Sequence, residues 1–419
     1  MSSTGVPKAH STAAEGKGEG TPVTPPGGPV RALAGIRVVD FSSMIAGPYC
    51  TRWLSDLGAD VIKVEPPEGD HMRHRPPLRD GHSAFFGHLN AGKRCMALDL
   101  KQDDARALAQ RLVDGADVVV EAYRPGVMAR LGLDAATLRA KHPRLVYCSI
   151  SGFGQSTDWS DRPAYGPVVH AASGFDLALG SDPDGRPMSA SMPLADMLTA
   201  MFAAMSIQTA LLHRQATGEG TVIDVNLMDS VLNVMPYEFQ SAQQPEQQPR
   251  PVYRPMQARD GWVLVTPINQ RNFLNLCDAL DHPEWRDEPD LATEAARFAH
   301  WGAFMDRIEA WTRQHGADEC ERILGAHGVP CARYRSLREV QQDAQFAQRD
   351  SFATVHDAAG AFLATRLPFA FGNVRPPTGP TAPAFGADTV GILRHELGLD
   401  DAQLDRILLS GAAIRHSHP

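Results

Sequence analysis

"GIRVVDFSSMIAGPYCTRWLSDLGADVIKVE" runs from Gly35 to Glu65. Its first part, Ile36–Phe41, is short and rich in branched apolar residues, which predicts a strand. "SSMIAGP" reads as a loop of small residues. Tyr49, Trp53, Leu54 and Leu57 then recur at helical spacing, and Gly58 stops the pattern. "ADVIKVE" is a second strand. A strand–helix–strand unit of this length is the building block of a parallel α/β sheet.

The pattern repeats downstream. "RCMALDL" (94–100) reads as a strand. Asp103–Val113 reads as a helix with apolar positions at Ala105, Leu108, Ala109 and Leu112. "DVVVEAY" (117–123), "DAATLRAKH" (134–142) and "RLVYCSIS" (144–151) continue as strand, helix and strand. Residues 31–235 are therefore expected to form a large Rossmann-like α/β domain with a parallel sheet. The GxGxxG spacing of dinucleotide-binding folds is absent from the first loop, so a nicotinamide or flavin dinucleotide is not indicated.

Outside this region the chain changes character. Residues 1–30 hold almost no large apolar side chains and read as a disordered tail. The Gln/Pro-rich stretch within 236–254 reads as a linker. "DGWVLVTP" then opens a smaller α+β domain over 255–345, with helical patterns around Phe273–Leu280, Trp301–His315 and Glu319–His327. Residues 346–419 read as a return segment that packs on the large domain.

Composition narrows the function classes. The chain has 419 residues, 43% hydrophobic and 21% charged, with a formal net charge of −9. That length suits two domains, and the acidic balance gives no sign of nucleic-acid binding. Six scattered cysteines with no CxxC pair point to reduced thiols in a cytoplasmic protein, with neither a zinc site nor a disulfide framework. No signal peptide is visible. The apolar run Met197–Leu212 reads as a buried helix, too short to span a membrane.

"PLADMLTAMFAAM" (193–205) places one carboxylate, Asp196, at the mouth of that run. One reading is a helix cap, whose carboxylate accepts amides of the first turn. The other uses the same physics: a carboxylate kept ionised by the helix end but poorly hydrated by apolar neighbours is a usable nucleophile or base. Lys93, Arg94 and Lys101, with Arg124 and Arg130 near the next strand's end, read either as solvated charges or as a phosphate-binding cluster. Lone histidines such as His170 read as satisfied core or surface residues. His82, His88, His170 and His213 show no metal-ligand spacing.

Together these stretches resemble class III CoA-transferases. "LAGIRVVDFSSMIAGPY", "LGADVIKVEPPEGD", "NAGKRCMALDLK", "ADVVVEAYRPGVMARLGLD", "LVYCSISGFGQS", "RPAYGPVVHAASG", "PLADM" and "TGEGTVIDVNLMDSV" occur in the order found in that family. It includes formyl-CoA:oxalate and carnitine CoA-transferases, and α-methylacyl-CoA racemase is related to it. The resemblance implies a homodimer of two interlinked, ring-like chains and an activity that moves CoA between carboxylic acids. It implies that Asp196 is the nucleophile, passing through an acyl–aspartyl anhydride and an aspartyl-CoA thioester. CoA and its acyl thioesters are then substrates, a carboxylic acid is the acceptor, and no tightly bound cofactor is expected.

By the same resemblance Ala46, Leu98, Lys101, Tyr123 and Arg130 contact CoA, and Ile45, Gly47, Tyr165 and Gly166 line the acyl pocket. Three positions depart from the oxalate enzyme. Ile45 replaces a glutamine, Gly166 a glutamate and Ala122 an asparagine, and the glycine-rich lid before "ARDGW" is absent. These changes imply a roomier, less polar acyl pocket. Tyr165 stands where the racemase branch has a histidine, against racemase chemistry. Two other readings are a CoA-ester isomerase using Asp196 as a base, and a weakly catalytic partner subunit of a heteromeric transferase.

Overall fold

A computed structural model describes residues 30–244, 246 and 251–416. The segment expected to be a disordered tail, up to residue 29, and residues 245 and 247–250 of the expected linker lie outside the described residues. Six parallel strands form the main sheet: β1 (Arg37–Asp40), β2 (Asp60–Glu65), β3 (Arg94–Leu98), β4 (Val118–Glu121), β5 (Val146–Ser151) and β6 (Val222–Asn226). Their spatial order is β3-β2-β1-β4-β5-β6. The central strands are buried on both faces, which is why "VV", "VIKV" and "VVV" read as continuous apolar runs and not as alternating ones.

Helices cover both faces. The first is α1 (Ala46–Asp56), which starts three residues earlier than the periodicity from Tyr49 suggests. "AGP" is thus its first turn and not loop. Gly47 makes this start feasible: a Cβ there would lie 2.2 Å from the Ser42 side chain, so only glycine lets α1 press against the end of β1. α2 (Asp103–Asp114) buries Ala105, Leu108, Ala109, Leu112 and Val113, the stripe read from the sequence. Between β5 and β6 the chain makes a long excursion through α3 (Gly166–Ala172) and α4 (Leu194–Thr217).

α4 has 24 residues, longer than the run Met197–Leu212. Its length and composition would suffice to cross a membrane, so the length argument against a span does not hold. What speaks for a core helix is packing: Ala195, Ala203, Ala204 and Ile207 belong to the main apolar core beneath the sheet, together with Val118, Val146 and Leu54.

Beyond β6, α5 (Leu227–Asn233) is followed by a further helix at Pro236–Ser241, within the segment expected to be linker. β7 (Met256–Ala258), β8 (Gly261–Val265) and β9 (Cys331–Arg333) form an antiparallel three-stranded sheet. With its helices it encloses a separate core around Phe273, Phe304 and Leu324. A hairpin of β10 (Phe352–Asp357) and β11 (Gly360–Thr365) follows. Finally β12 (Ala413–Ile414) adds antiparallel to β3 at the edge of the main sheet.

Candidate active site

The strand order reverses direction at β1. The chain steps outward from β1 to β2 and β3, then crosses back to lay β4 on the other side of β1. The connections leaving β1 and β4 therefore diverge, and a crevice opens at their carboxyl ends, the usual ligand position in open α/β sheets. A cleft of about 690 Å³, open to solvent, lies there. Its wall is built from Ser43–Ala46 after β1, Ala122–Pro125 after β4 and Ile150–Gly152 at the end of β5. Tyr165 and Asp196 close it from the excursion between β5 and β6. Asp196 is the one acid among the described lining residues, and Arg124 and Arg162 are the two cations.

Asp196 is not a cap. Pro193 occupies the cap position, and Asp196 is the third helical residue. The helix end also does not hold its pKa at the ordinary carboxylate value. Burial pushes it up to about 6, against a single favourable hydrogen bond from its own backbone amide. At neutral pH the group is still mainly ionised, yet poorly hydrated. Gly166, the first residue of α3, lies against it: a Cβ there would sit 2.5 Å from Asp196 Oδ2. The glycine thus makes room for the carboxylate.

Behind the cleft is a buried ionic cluster that the sequence did not signal. Lys93 Nζ pairs with Asp40 Oδ2 at 3.1 Å, and Lys63 Nζ pairs with Asp70 Oδ2 at 2.9 Å, all four side chains fully buried. Burial alone would raise the Asp40 pKa, but Lys93, Lys63 and hydrogen bonds from Ser42 and Thr51 outweigh it and hold the carboxyl below its usual range. Burial alone would lower the Lys63 pKa. The charges of Asp70, Asp40 and Glu65 hold it above the usual lysine range instead. The cluster grips the loop after β1: Lys63 Nζ donates to Ser42 O at 2.9 Å, and the Ser42 amide donates to Asp40 Oδ1 at 2.9 Å. Met44 in that loop has φ 68°, a left-handed conformation that a side chain rarely adopts. Such strain persists only where the surroundings over-determine it, and here the ion pairs do so.

The other predicted residues divide. Ile45, Ala46, Tyr123, Tyr165 and Asp196 line the cleft together, and Gly166 and Gly47 press against its walls. Ile45 also packs with Met44 and Met197 on an apolar cluster of Met72, Phe86 and Leu89, so this side of the cleft is greasy. Leu98 is fully buried in the second core beneath β3, which leaves its side chain no surface to offer a ligand. Lys101 and Arg130 are exposed but stand outside the cleft. Two of the five cations read either as solvated charges or as a phosphate cluster have carboxylate partners. Lys93 is spent on Asp40, and Arg94 is bonded to Asp60 and Glu396. Sequence reasoning passed over Arg162, which stacks on Trp159 at 4.0 Å. His170, read from the sequence as a core or surface residue, is 1% exposed and bonded to the backbone beside Asp196.

Comparison with known proteins bears on the family and the fold. The model of CoA-transferase family III matches residues 33–389. Succinyl-CoA–D-citramalate CoA-transferase of Chloroflexus aurantiacus is 33% identical over 78% of this chain and 85% of its own. Succinate–glutarate CoA-transferase of Agrobacterium fabrum is 34% identical over 76% of this chain and 83% of its own. Among solved structures, a CAIB/BAIF family protein from Brucella suis superposes with a TM-score of 0.77 at 31% identity, covering 87% of this chain and 99% of that one. The fold, the switch-point cleft and a match that spans nearly the whole described chain lead to one conclusion: the protein belongs to CoA-transferase family III.

Proposed function

We propose that the protein transfers CoA between carboxylic acids through covalent intermediates on Asp196. The observation that carries this reading is that Asp196 is the one carboxylate facing the switch-point cleft among the described residues, partly desolvated and held in the first turn of α4. An Asp196 oxygen attacks the acyl-CoA carbonyl. The C–S bond breaks, CoA leaves as thiolate, and an acyl–aspartyl anhydride remains. The thiolate attacks the aspartyl carbonyl and releases the first acid, which leaves an aspartyl-CoA thioester. The acceptor carboxylate displaces CoA in turn, and the thiolate then takes the acceptor's acyl group, regenerating the Asp196 carboxylate.

Ala46 and Gly47 begin α1 at the edge of the cleft, and their amides are the unfilled donors of a helix start. They supply the oxyanion with donors where Ile45 offers none. Arg124 and Arg162 suit a second carboxylate on the substrate, in keeping with the dicarboxylic acids in the names of the two relatives above. The apolar Met44 and Ile45 suit the methylene carbons between. The chain is proposed to work as a dimer, a reading supported by Leu177, Met188, Met192, Met205 and Leu212. These large apolar side chains, on α4 and the segment before it, are more than half exposed in the single chain.

The test is chemical trapping. The protein is incubated with a panel of acyl-CoAs beginning with succinyl-CoA, then with hydroxylamine or borohydride, and peptides are read by mass spectrometry. Modification at Asp196 is the expected result; α-carbon deuterium exchange without modification would assign the site to isomerisation instead. A second expectation concerns Gly166→Ala. The added methyl must displace the Asp196 carboxylate, and displacement of about 1 Å costs on the order of 10²-fold in rate. Steady-state kinetics should show the loss in kcat, with folding retained because alanine suits a helix start.

A further inference from the structure

The start of α4 satisfies the backbone donors on either side of Asp196 without using the Asp196 side chain. A carboxylate at the third helical position ordinarily reaches back to the amide of the cap residue. Here the cap residue is Pro193, which has no amide hydrogen. The Leu194 amide donates to Met192 O at 2.8 Å, and the Met197 amide donates to Pro193 O at 3.0 Å. The Ala195 amide donates to His170 Nε2 at 3.0 Å. That leaves Asp196 with its own backbone amide. A carboxylate that collects two or three amide hydrogen bonds is stabilised as the anion and correspondingly slower to attack.

His170 is placed for this task. It is 1% exposed, and the Phe175 ring lies over it at 5.0 Å. Accepting at Nε2 requires the neutral ring with its proton on Nδ1. His170 also stands four residues after Gly166, one turn along α3. The same face of α3 therefore touches the start of α4 twice, at the Asp196 carboxylate through Gly166 and at the neighbouring amide through His170.

We propose that His170 is a positioning residue: its imidazole occupies the Ala195 amide and, together with Pro193, leaves the Asp196 carboxylate free to attack. This rests on the reading of Asp196 as nucleophile. In His170→Leu the Ala195 amide loses its acceptor and turns to the carboxylate. His170→Gln restores an acceptor oxygen. Pro193→Ala adds a donor at the cap and leaves His170 untouched.

The experiment uses the full chain and the acyl-CoA that labels Asp196, with kinetics, trapping rate and thermal unfolding measured for each variant. The expected result for His170→Leu is a fall in kcat of tenfold or more, about what a small misplacement costs, with KM within about twofold of the parent. His170→Gln should recover most of it. Pro193→Ala should lower kcat in the same direction. A His170→Leu protein that folds and keeps the parental kcat overturns the proposal, as does a His170→Gln protein as slow as His170→Leu. If His170→Leu does not fold, an unchanged kcat in Pro193→Ala overturns it alone. Asp196→Asn separates the two layers: turnover surviving that change would sink the nucleophile reading itself, whereas its loss alongside a normal His170→Leu would sink the positioning role only.

Discussion

Asp196→Asn is expected to lower CoA transfer by roughly 10⁴-fold or more, the scale seen when the nucleophile of a covalent mechanism is removed. The fold should be kept, because the change is isosteric and Asp196 makes no ion pair among the described residues. The sign of the stability effect follows from its pKa. Burial lifts the folded-state value from 3.8 to about 6. Between those values the folded protein binds the proton that the unfolded chain has released. Stability therefore falls as pH rises through this window, and the cost is complete above about 6. Asparagine carries no such cost. Thermal melts should thus show the variant gaining on the parent from pH 4 to pH 8. For the parent, kcat/KM should rise with pH through about 6 and level off, since the anion is the attacking form. A variant with normal turnover, or a parent profile flat from pH 4 to 8, would contradict the assignment.

Lys63→Met should be the most damaging single change to stability. Lys63 is fully buried between Asp70 at 2.9 Å and the Ser42 carbonyl at 2.9 Å. Replacing it leaves Asp70 buried without its cation, and breaking a buried pair from one side costs about 3–5 kcal/mol. Because the folded-state pKa of Lys63 is raised, its contribution is fully present at neutral pH and is lost only as pH rises beyond the ordinary lysine range. Urea denaturation at pH 7 measures the loss. The same change frees the loop that carries Met44 and Ile45, so residual activity should fall more than the folded fraction does.

Much of the fold was legible along the chain. Strands such as β1, β2 and β4 are short, branched and buried on both faces, and that pattern is local. α2 showed its buried stripe for the same reason. The start of α1 was less legible because "SSMIAGP" is made of residues without periodicity; only the 2.2 Å fit of Gly47 against Ser42 shows why the helix begins there. β12 could not be seen at all, since two residues acquire strand geometry from pairing with β3 more than three hundred positions away.

The candidate site divides along the same line. The sequence by itself determined the parallel α/β frame, the family and the carboxylate at the head of the long apolar helix, because these depend on residue order and periodicity. The tertiary structure decided how that carboxylate behaves. Desolvation raises its pKa, Gly166 gives it space, Pro193 has no amide hydrogen to offer it, and the Ala195 amide is bonded to His170. It also reassigned the cations. Lys93 and Arg94 are taken up by Asp40, Asp60 and Glu396, while Arg124 and Arg162 face the cleft. Charge is written in sequence, but its partner and its exposure to water are set by which strands the fold places side by side.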